Sequence, residues 1–295
     1  MMRILWFCAS GYSFFWGTGI IICSVLLSFF LKKTAYKLMV AIAAIIGIFL
    51  IFLSAVPFPI WFYFVLGLLI ICWLISHFRY SRFNLCYLII SIFLIAIFDL
   101  AVISELNEFV GLPLRLTRGD DLSTIYVIGD SMSAGTGEKG KVWPDILRET
   151  YGINIINLAQ AGATASDAYR QAENIKDANS IVIIEIGGND ILEVTPLSQF
   201  ETDLEKLVRK IRGESRAIIM FELPAIGLQG RYIAIQRKIA KKFNISLIPR
   251  RIFVSVLKGK DSTVDGIHLT EKGHLKMAQC VWPLIFRSIY IIHKN

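Results

Sequence analysis

The first 104 residues of this 295-residue chain contain four long uncharged runs. They extend over Tyr12–Leu31, Leu38–Val56, Ile60–Ile75 and Leu85–Ile103. A helix needs about 20 apolar residues to cross the hydrocarbon layer of a membrane. The runs therefore predict about four transmembrane helices in residues 1–104. They also account for a mean hydropathy of +0.59, which is too high for an ordinary soluble protein.

The charges between these runs predict the orientation of the helices. Lys32, Lys33 and Lys37 lie between the first and second runs, and Arg79 and Arg82 lie between the third and fourth. Loops rich in lysine and arginine remain on the cytoplasmic side of a membrane. Both basic loops are therefore expected in the cytoplasm. Everything after the fourth run is expected on the periplasmic or extracellular side of a bacterial inner membrane.

The remainder of the chain has the charge density of a globular domain. We expect a linker over residues 105–122 and one domain over residues 123–295. Six basic residues and one acid precede Glu105, a net charge of +5, whereas the 25 basic and 22 acidic residues that follow give only +3. Most of the basicity thus belongs to membrane loops, which argues against a nucleic-acid partner.

Cysteine and histidine usage argues against a disulfide framework or a metal centre in this domain. Cys280 is the one cysteine of the five that follows the apolar runs, so no disulfide can form within the domain. Cysteine, histidine and carboxylate residues show no spacing typical of a zinc site. No cofactor is expected.

Short β-rich runs alternate with helical patterns after residue 123, which predicts an α/β domain with a parallel sheet. Strands are predicted at Thr124–Ile128, Asn154–Asn157, Ser180–Ile186, Ala217–Phe221 and Ser246–Ile248, and helices at Trp143–Tyr151, Thr164–Lys176, Leu197–Ile211, Gln229–Phe243 and Thr270–Cys280. Two of the strands are continuously apolar, as strands buried on both faces are. Pro283 is predicted to end or kink the last helix.

Four short polar segments follow the predicted strands. They are Gly129-Asp130-Ser131, Ala161-Gly162, Gly187-Gly188-Asn189-Asp190 and, near the C-terminus, Asp265-Gly266-Ile267-His268. Open α/β sheets bind ligands beyond the carboxyl ends of their strands. We therefore expect all four segments at one edge of the sheet.

The residue types in these segments suit nucleophilic acyl transfer. Ser131 is the candidate nucleophile, and its hydroxyl needs a base, for which His268 is the candidate. Asp265, three residues earlier, is placed to fix the tautomer of His268 and to stabilise its imidazolium form. The Ser131 and Gly162 N–H groups and the Asn189 amide are candidate donors to the oxyanion that develops.

These segments, in this order, resemble the four sequence blocks of the SGNH/GDSL hydrolase family. The first block, Gly129 to Gly135 with Trp143-Pro144 shortly after it, and the phrase Glu185 to Asp190 are similar to the bacterial thioesterase, lysophospholipase and arylesterase branch. The resemblance covers about residues 123–290. It implies a flavodoxin-like three-layer α/β/α fold, with Ser131, Asp265 and His268 as the catalytic triad. Met132 departs from the family pattern without affecting the chemistry.

Several functions remain open on the sequence alone. The first is a membrane-anchored extracytoplasmic serine esterase that acts on lipid or aryl esters through an acyl-enzyme. The alternatives are an O-acetylesterase or O-acyltransferase acting on polysaccharide, and a membrane assembly subunit with an idle hydrolase domain. The expected partners are an ester substrate and the membrane.

Other polar residues have simpler interpretations. Asp130 is expected to stabilise its turn, Asp190 to cap a helix and His274 to be solvated on a helix. Asn189 has a helix N-cap as its alternative role. The basic stretch Arg231–Lys242 has the spacing of a solvated helix face, with contact to anionic headgroups as the alternative.

Overall fold

The computed structural model describes residues 2–31, 33–79, 84–110, 124–136, 140–212 and 216–293, with side chains described as far as Ile285. It divides into two compact units. A helical unit comprises Phe7–Val110 and Ala225–Gly230, and an α/β unit comprises Met1–Trp6, Gly111–Pro224 and Arg231–Asn295. Most of the predicted linker lies outside the described residues.

The helical unit is built from apolar helices. Their bounds are α2 Tyr12–Ser28, α3 Thr34–Leu53, α4 Ile60–Arg79 and α5 Leu85–Val110. The preceding helix, α1 Met2–Ala9, begins in the α/β unit and ends in the helical unit. In the described residues, α3, α4 and α5 are long and apolar enough to cross a membrane, and α1 with α2 makes a fourth candidate if this pair, bent by 84°, counts as one span. Helix α5 continues through the first six residues of the predicted linker.

Close backbone packing holds α2 against α3. A Cβ atom on Gly17 would lie 2.5 Å from the Gly47 carbonyl oxygen, and one on Gly47 would lie 2.7 Å from the Gly17 carbonyl oxygen. Small residues permit this approach between apolar helices. Around the contact, a cluster of buried side chains that includes Phe14, Trp73 and Leu94 fills the interior of the unit.

The α/β unit is organised by a five-stranded parallel sheet. The strands are β1 Thr124–Gly129, β2 Ile155–Asn157, β3 Ser180–Glu185, β4 Ala217–Phe221 and β5 Ser246–Ile248. Their order is β2-β1-β3-β4-β5, which is the flavodoxin-like order. Both the predicted strands and the fold class are confirmed.

Helices alternate with these strands. They are α6 Ser131–Ala134, α7 Trp143–Tyr151, α8 Ala165–Gln171, α9 Gly188–Leu192, α10 Leu197–Ile211, α11 Gly230–Phe243, α12 Arg250–Leu257 and α13 Glu271–His293. The expected helix end at Pro283 is wrong, because α13 runs through this residue. The alternative, a kink at Pro283, stays a prediction. A proline inside a helix removes one N–H donor, and the stacking of Trp282 on Tyr151 of α7, with ring centroids 3.7 Å apart, supports α13 at that point.

The helices cover both faces of the sheet. Since β2 and β3 flank β1 on opposite sides, right-handed crossovers place α7 on one face and α8 and α10 on the other. On the first face, Val127 and Ile183 of the sheet pack in one buried cluster with Trp143 of α7, Phe253 of α12 and Met277 of α13. The result is a three-layer arrangement in which the buried sheet lies between two layers of helices.

This topology fixes the position of the polar segments. The chain leaves β1 toward β2 on one side, and β3 lies on the other, so the strand order reverses between β1 and β3. The crevice at such a reversal is where open α/β sheets bind ligands. Ser131 directly follows β1, and Asn189 follows β3.

Candidate active site

The turn that presents Ser131 is tightly hydrogen-bonded. Asp130 caps α6, its Oδ1 accepting from the Met132 N–H at 3.0 Å. The amide of Gln171 bonds both the N–H and the carbonyl of Gly129, each at 3.0 Å. Ser131 is the first residue of α6 and is 9% exposed. Its main chain is therefore fixed from both sides.

Asp265 and His268 form a second hydrogen-bonded turn. The Asp265 Oδ1 atom accepts from the backbone N–H groups of Ile267 and His268, at 2.9 and 2.8 Å. Its Oδ2 atom accepts from the His268 Nδ1 atom at 2.6 Å. These bonds hold the pKa of the Asp265 carboxyl well below its usual value, and the bond from the His268 side chain has the largest effect. Asp265 is thus ionised at neutral pH and fixes the imidazole with Nε2 available.

Gly162 and Asn189 lie in turns that approach the Ser131 turn. Gly162 is exposed and has a positive φ of 78°. The Asn189 Nδ2 atom donates to the Ala163 carbonyl at 2.9 Å and, at a longer 3.3 Å, to the Asp130 Oδ2 atom. The N-cap of α9 is Gly187, so the alternative role of Asn189 as a helix N-cap is wrong.

The structure brings most of the predicted residues into two linked groups. Asp265 bonds His268, and Asn189 bridges the Gly162 turn to Asp130 beside Ser131. Burial raises the pKa of Asp130, and an electrostatic contribution from His268 lowers it. Hydrogen bonds of the described residues do not include one between Ser131 and His268. Such catalytic bonds are often long before substrate binds.

A buried carboxyl pair beneath the Ser131 turn is a feature that the sequence analysis missed. Glu185 lies opposite Gly129, the residue before Asp130, and the two acids are 3% and 4% exposed. The pKa of each carboxyl is influenced by the other. Burial raises the pKa of Asp130 to about 6 and that of Glu185 well above its usual value. The sequence signal that could have indicated this pair is Glu185 itself, an acid at the end of a largely apolar strand.

Of three simpler interpretations, one needs correction and two hold. His274 is buried, not solvated: it accepts from the Trp143 N–H at 3.3 Å, and burial lowers its pKa to about 4. Asp190 is buried and accepts from the Ala165 N–H at 2.9 Å, so it caps the neighbouring helix α8. The stretch Arg231–Lys242 presents a solvated face as expected, since four of its five basic residues are exposed: Arg231, Lys238, Lys241 and Lys242.

Acidic partners occupy the basic face of α11. Lys238 pairs with Glu201, Lys242 with Glu205 and Arg237 with the buried Glu222. These contacts compensate much of the positive charge that headgroup binding would need. Across the described part of the chain, histidine, cysteine and carboxylate side chains form no group that suits a metal ion.

Comparison with known proteins agrees with this geometry. The model of the GDSL-like lipase/acylhydrolase family matches residues 127–276. Esterase TesA of Pseudomonas aeruginosa is 25% identical over 185 residues, which cover 58% of this chain and 91% of that protein. Thioesterase 1/protease 1/lysophospholipase L1 of Escherichia coli K12 is 25% identical over 170 residues, covering 54% and 82%.

A solved structure shows the same fold. The psychrotrophic esterase EstA from Pseudoalteromonas sp. superposes with a TM-score of 0.50 at 23% identity, covering 57% of this chain and 99% of its own. Fold and site together define an α/β hydrolytic enzyme. The chain belongs to the GDSL-like lipase/acylhydrolase family. The predicted class of ester hydrolase is thereby confirmed.

The variant Gly266→Ala should damage the His268 turn. Gly266 has a φ of +96°, well outside the narrow left-handed region that L residues tolerate, and an added Cβ would lie 2.3 Å from the Met2 Cε atom. The methyl group of Met2 can move, so backbone strain is the larger effect. Because a small misplacement of a catalytic group costs about 100-fold in rate, we expect kcat for ester hydrolysis to fall by about that factor.

Gly152→Ala is the matched control. Gly152 has a φ of +65° within the left-handed region, and nothing lies within 4 Å of an added Cβ. It should lose about 1 kcal/mol of stability and keep its kcat. Equal kcat losses in the two variants would show that the turn has no special role.

Proposed function

We propose that the protein is a membrane-anchored serine esterase whose α/β unit faces the periplasm or the extracellular side. The observation that carries the proposal is the 2.6 Å bond that fixes the His268 imidazole on Asp265 in a family member whose Ser131 begins the helix after β1. This arrangement supplies a base held in one tautomer and a nucleophile on a rigid turn.

The reaction proceeds in two acyl-transfer steps. His268 Nε2 removes the Ser131 hydroxyl proton as Oγ attacks the ester carbonyl carbon, and the ionised Asp265 stabilises the resulting imidazolium. The tetrahedral intermediate collapses as His268 gives that proton to the departing alcohol, which leaves an acyl-enzyme. Water, deprotonated by His268, then attacks the acyl carbon and releases the acid, and Ser131 regains its proton.

The oxyanion of each intermediate requires donors already in place. The N–H groups of Ser131 and Gly162 and the side-chain amide of Asn189 are the proposed donors. The backbone of Ser131 is fixed at the N-terminus of α6, and Asn189 is held by Ala163 and Asp130. Each donor of this kind contributes about 3 kcal/mol to transition-state stabilisation.

Exposed apolar side chains favour acyl esters of lipid or aryl type over acetylated glycans. Leu192 and Val194, just after Asn189, are 65% and 76% exposed, and Ile267, next to His268, is 44% exposed. Apolar side chains next to a catalytic segment suit contact with a hydrocarbon chain. One relative is named an esterase and another a thioesterase and lysophospholipase, and both names fit this choice. O-acetyl transfer on polysaccharide is the competing function.

Loss of Ser131 or His268 should abolish hydrolysis. We expect Ser131→Ala and His268→Ala to lower kcat by about four to six orders of magnitude, and Asn189→Ala to lower it by about 10²–10³-fold. Full-length protein in detergent is assayed on a model ester and labelled with a fluorophosphonate. Ser198→Ala, on the exposed side of α10, is the control and should keep both activity and labelling.

Two results would contradict this assignment. Labelling that persists in Ser131→Ala places the nucleophile elsewhere. A wild-type protein that neither turns over any ester nor reacts with the probe would favour the alternative of an assembly subunit with an idle hydrolase domain.

Activity on p-nitrophenyl esters from acetyl to decanoyl should rise with acyl length. Leu192→Ser should reduce kcat/KM for the decanoyl ester by about tenfold, since a buried methylene is worth about 0.8 kcal/mol, and should leave the acetyl ester unaffected. A sharp fall beyond acetate would overturn the lipid or aryl proposal and favour the O-acetylesterase. Transfer of the acyl group to an added sugar in place of water would instead indicate an acyltransferase.

The proposed topology rests on the loop charges and on the apolar helices α2–α5. Alkaline phosphatase, which is active only outside the cytoplasm, should be active when fused after Asn295. Fused after Arg79, at the end of α4, it should be silent. A silent fusion at Asn295 would place the α/β unit in the cytoplasm and overturn the localisation.

A further inference from the structure

Two carboxyl groups share one buried position below the Ser131 turn. Gly129 of β1 pairs in register with Glu185 of β3, so Asp130 directly follows the residue opposite Glu185. The two side chains are almost fully buried, and the pKa of each carboxyl is influenced by the other. Gly129 makes room for them, since a Cβ there would lie 3.1 Å from the Glu185 Oε2 atom and 3.0 Å from the Ser133 Oγ atom.

Electrostatics forbids two full charges at this position. Two carboxylates in contact and out of water repel strongly, so one of them keeps a proton, and the pair titrates as a unit. The other charged groups that face Asp130 from the described residues are His268, which favours its ionised form, and Asp190, which opposes it. Burial raises the pKa of both carboxyls.

The pair is the centre of a chain of hydrogen bonds across the site. On one side, the Trp143 indole N–H donates to Ser133 Oγ at 3.2 Å, and Ser133 Oγ donates to Glu185 Oε2 at 3.0 Å. On the other side, Asp130 accepts from Met132 N–H and from Asn189 Nδ2. The α6 turn and the Asn189 amide are thus both positioned by the same two carboxyls.

We propose that Asp130 and Glu185 share a single proton at neutral pH and act as positioning residues that set the Ser131 turn against the Asn189 amide. The positioning role rests on the proposed function, whereas the shared proton does not. Sharing leaves Asp130 with part of a negative charge, which holds Asn189 by a long bond of 3.3 Å. The amide can then turn to a developing oxyanion. A doubly ionised pair would instead keep the Asn189 N–H for itself.

Infrared spectroscopy of the full-length protein in an ester-free detergent detects the proton without any assay of activity. At pH 8 the wild type should show the carbonyl stretch of a protonated carboxylic acid, shifted in deuterium oxide. Glu185→Gln should lack this band, and Glu173→Gln, which changes an exposed acid, should retain it. If Glu185→Gln fails to fold, Asp130→Asn is the second test variant. It replaces the partner of the protonated carboxyl group, so the carbonyl band should shift in frequency.

Kinetics tests the positioning role. The side-chain amide that Glu185→Gln introduces can still donate to Asp130 and accept from Ser133, so we expect this variant to keep its neutral-pH kcat within about threefold. The wild-type kcat should fall at alkaline pH as the shared proton is lost, with KM unchanged, while the kcat of Glu185→Gln should not fall.

The outcomes separate the parts of the proposal. A wild type without the protonated band, with Ser131 still labelled by a fluorophosphonate, overturns the shared proton alone. A band that is present with identical kcat–pH profiles in wild type and Glu185→Gln overturns the positioning role. A band that is present in a protein without esterase activity contradicts the proposed function and leaves the shared proton standing.

Discussion

The parallel pairing of β1 with β3 is the constraint on which the rest of the site depends. Six residues of each strand pair in register, from Thr124 opposite Ser180 to Gly129 opposite Glu185. Because both strands end at the same level, the segments that follow them emerge side by side. Shifting the register by one residue would turn every side chain of one strand to the opposite face. It would move Glu185 away from Asp130 and the Asn189 turn away from Ser131.

Burial of both faces of these strands is what makes the register unique. The side chains of Val127 and Ile183 enter the core with α7, α12 and α13, so no other alignment fills the same space. An acid at the end of such a strand is costly unless it is neutral or bonded. The neutral form of Glu185 therefore fits its setting. The same low polarity that stabilises the sheet also strengthens the hydrogen bonds at its edge.

Much of this arrangement is predictable because it follows from local pattern. Continuous apolar runs mark β1 and β3 as strands buried on both faces, and the polar segments after them must then meet at one edge. Asp265 and His268 are close in sequence, so their hydrogen bond is a local property of one turn. Relations between distant segments have no such periodic signal. The Asp130–Glu185 pair joins residues 55 positions apart, and its formation depends on strand order.

The errors have the same cause. The polar stretch of α13 around His274 indicates a solvated side chain. His274 instead packs against Trp143 of α7, more than 100 positions away. Pro283 indicates a helix end because it lacks the N–H donor of one backbone hydrogen bond. In α13 the packing against α7 outweighs the loss of that bond, and the helix continues. In each case a tertiary contact reverses what the local pattern favours.

The division of the chain into two units bears on how substrate choice arises. The matched family range, residues 127–276, contains the α/β chemistry and none of the apolar helices α2–α5. In the proposed function the reaction type depends on the sheet edge, and the identity with esterase relatives covers 58% and 54% of the chain. On the proposed function, we expect selectivity to come from side chains beside the edge, such as Leu192 and Ile267, because the proposed oxyanion donors and base do not contact the acyl chain. A change at these positions is then expected to alter the ester that is preferred without changing how it is cleaved.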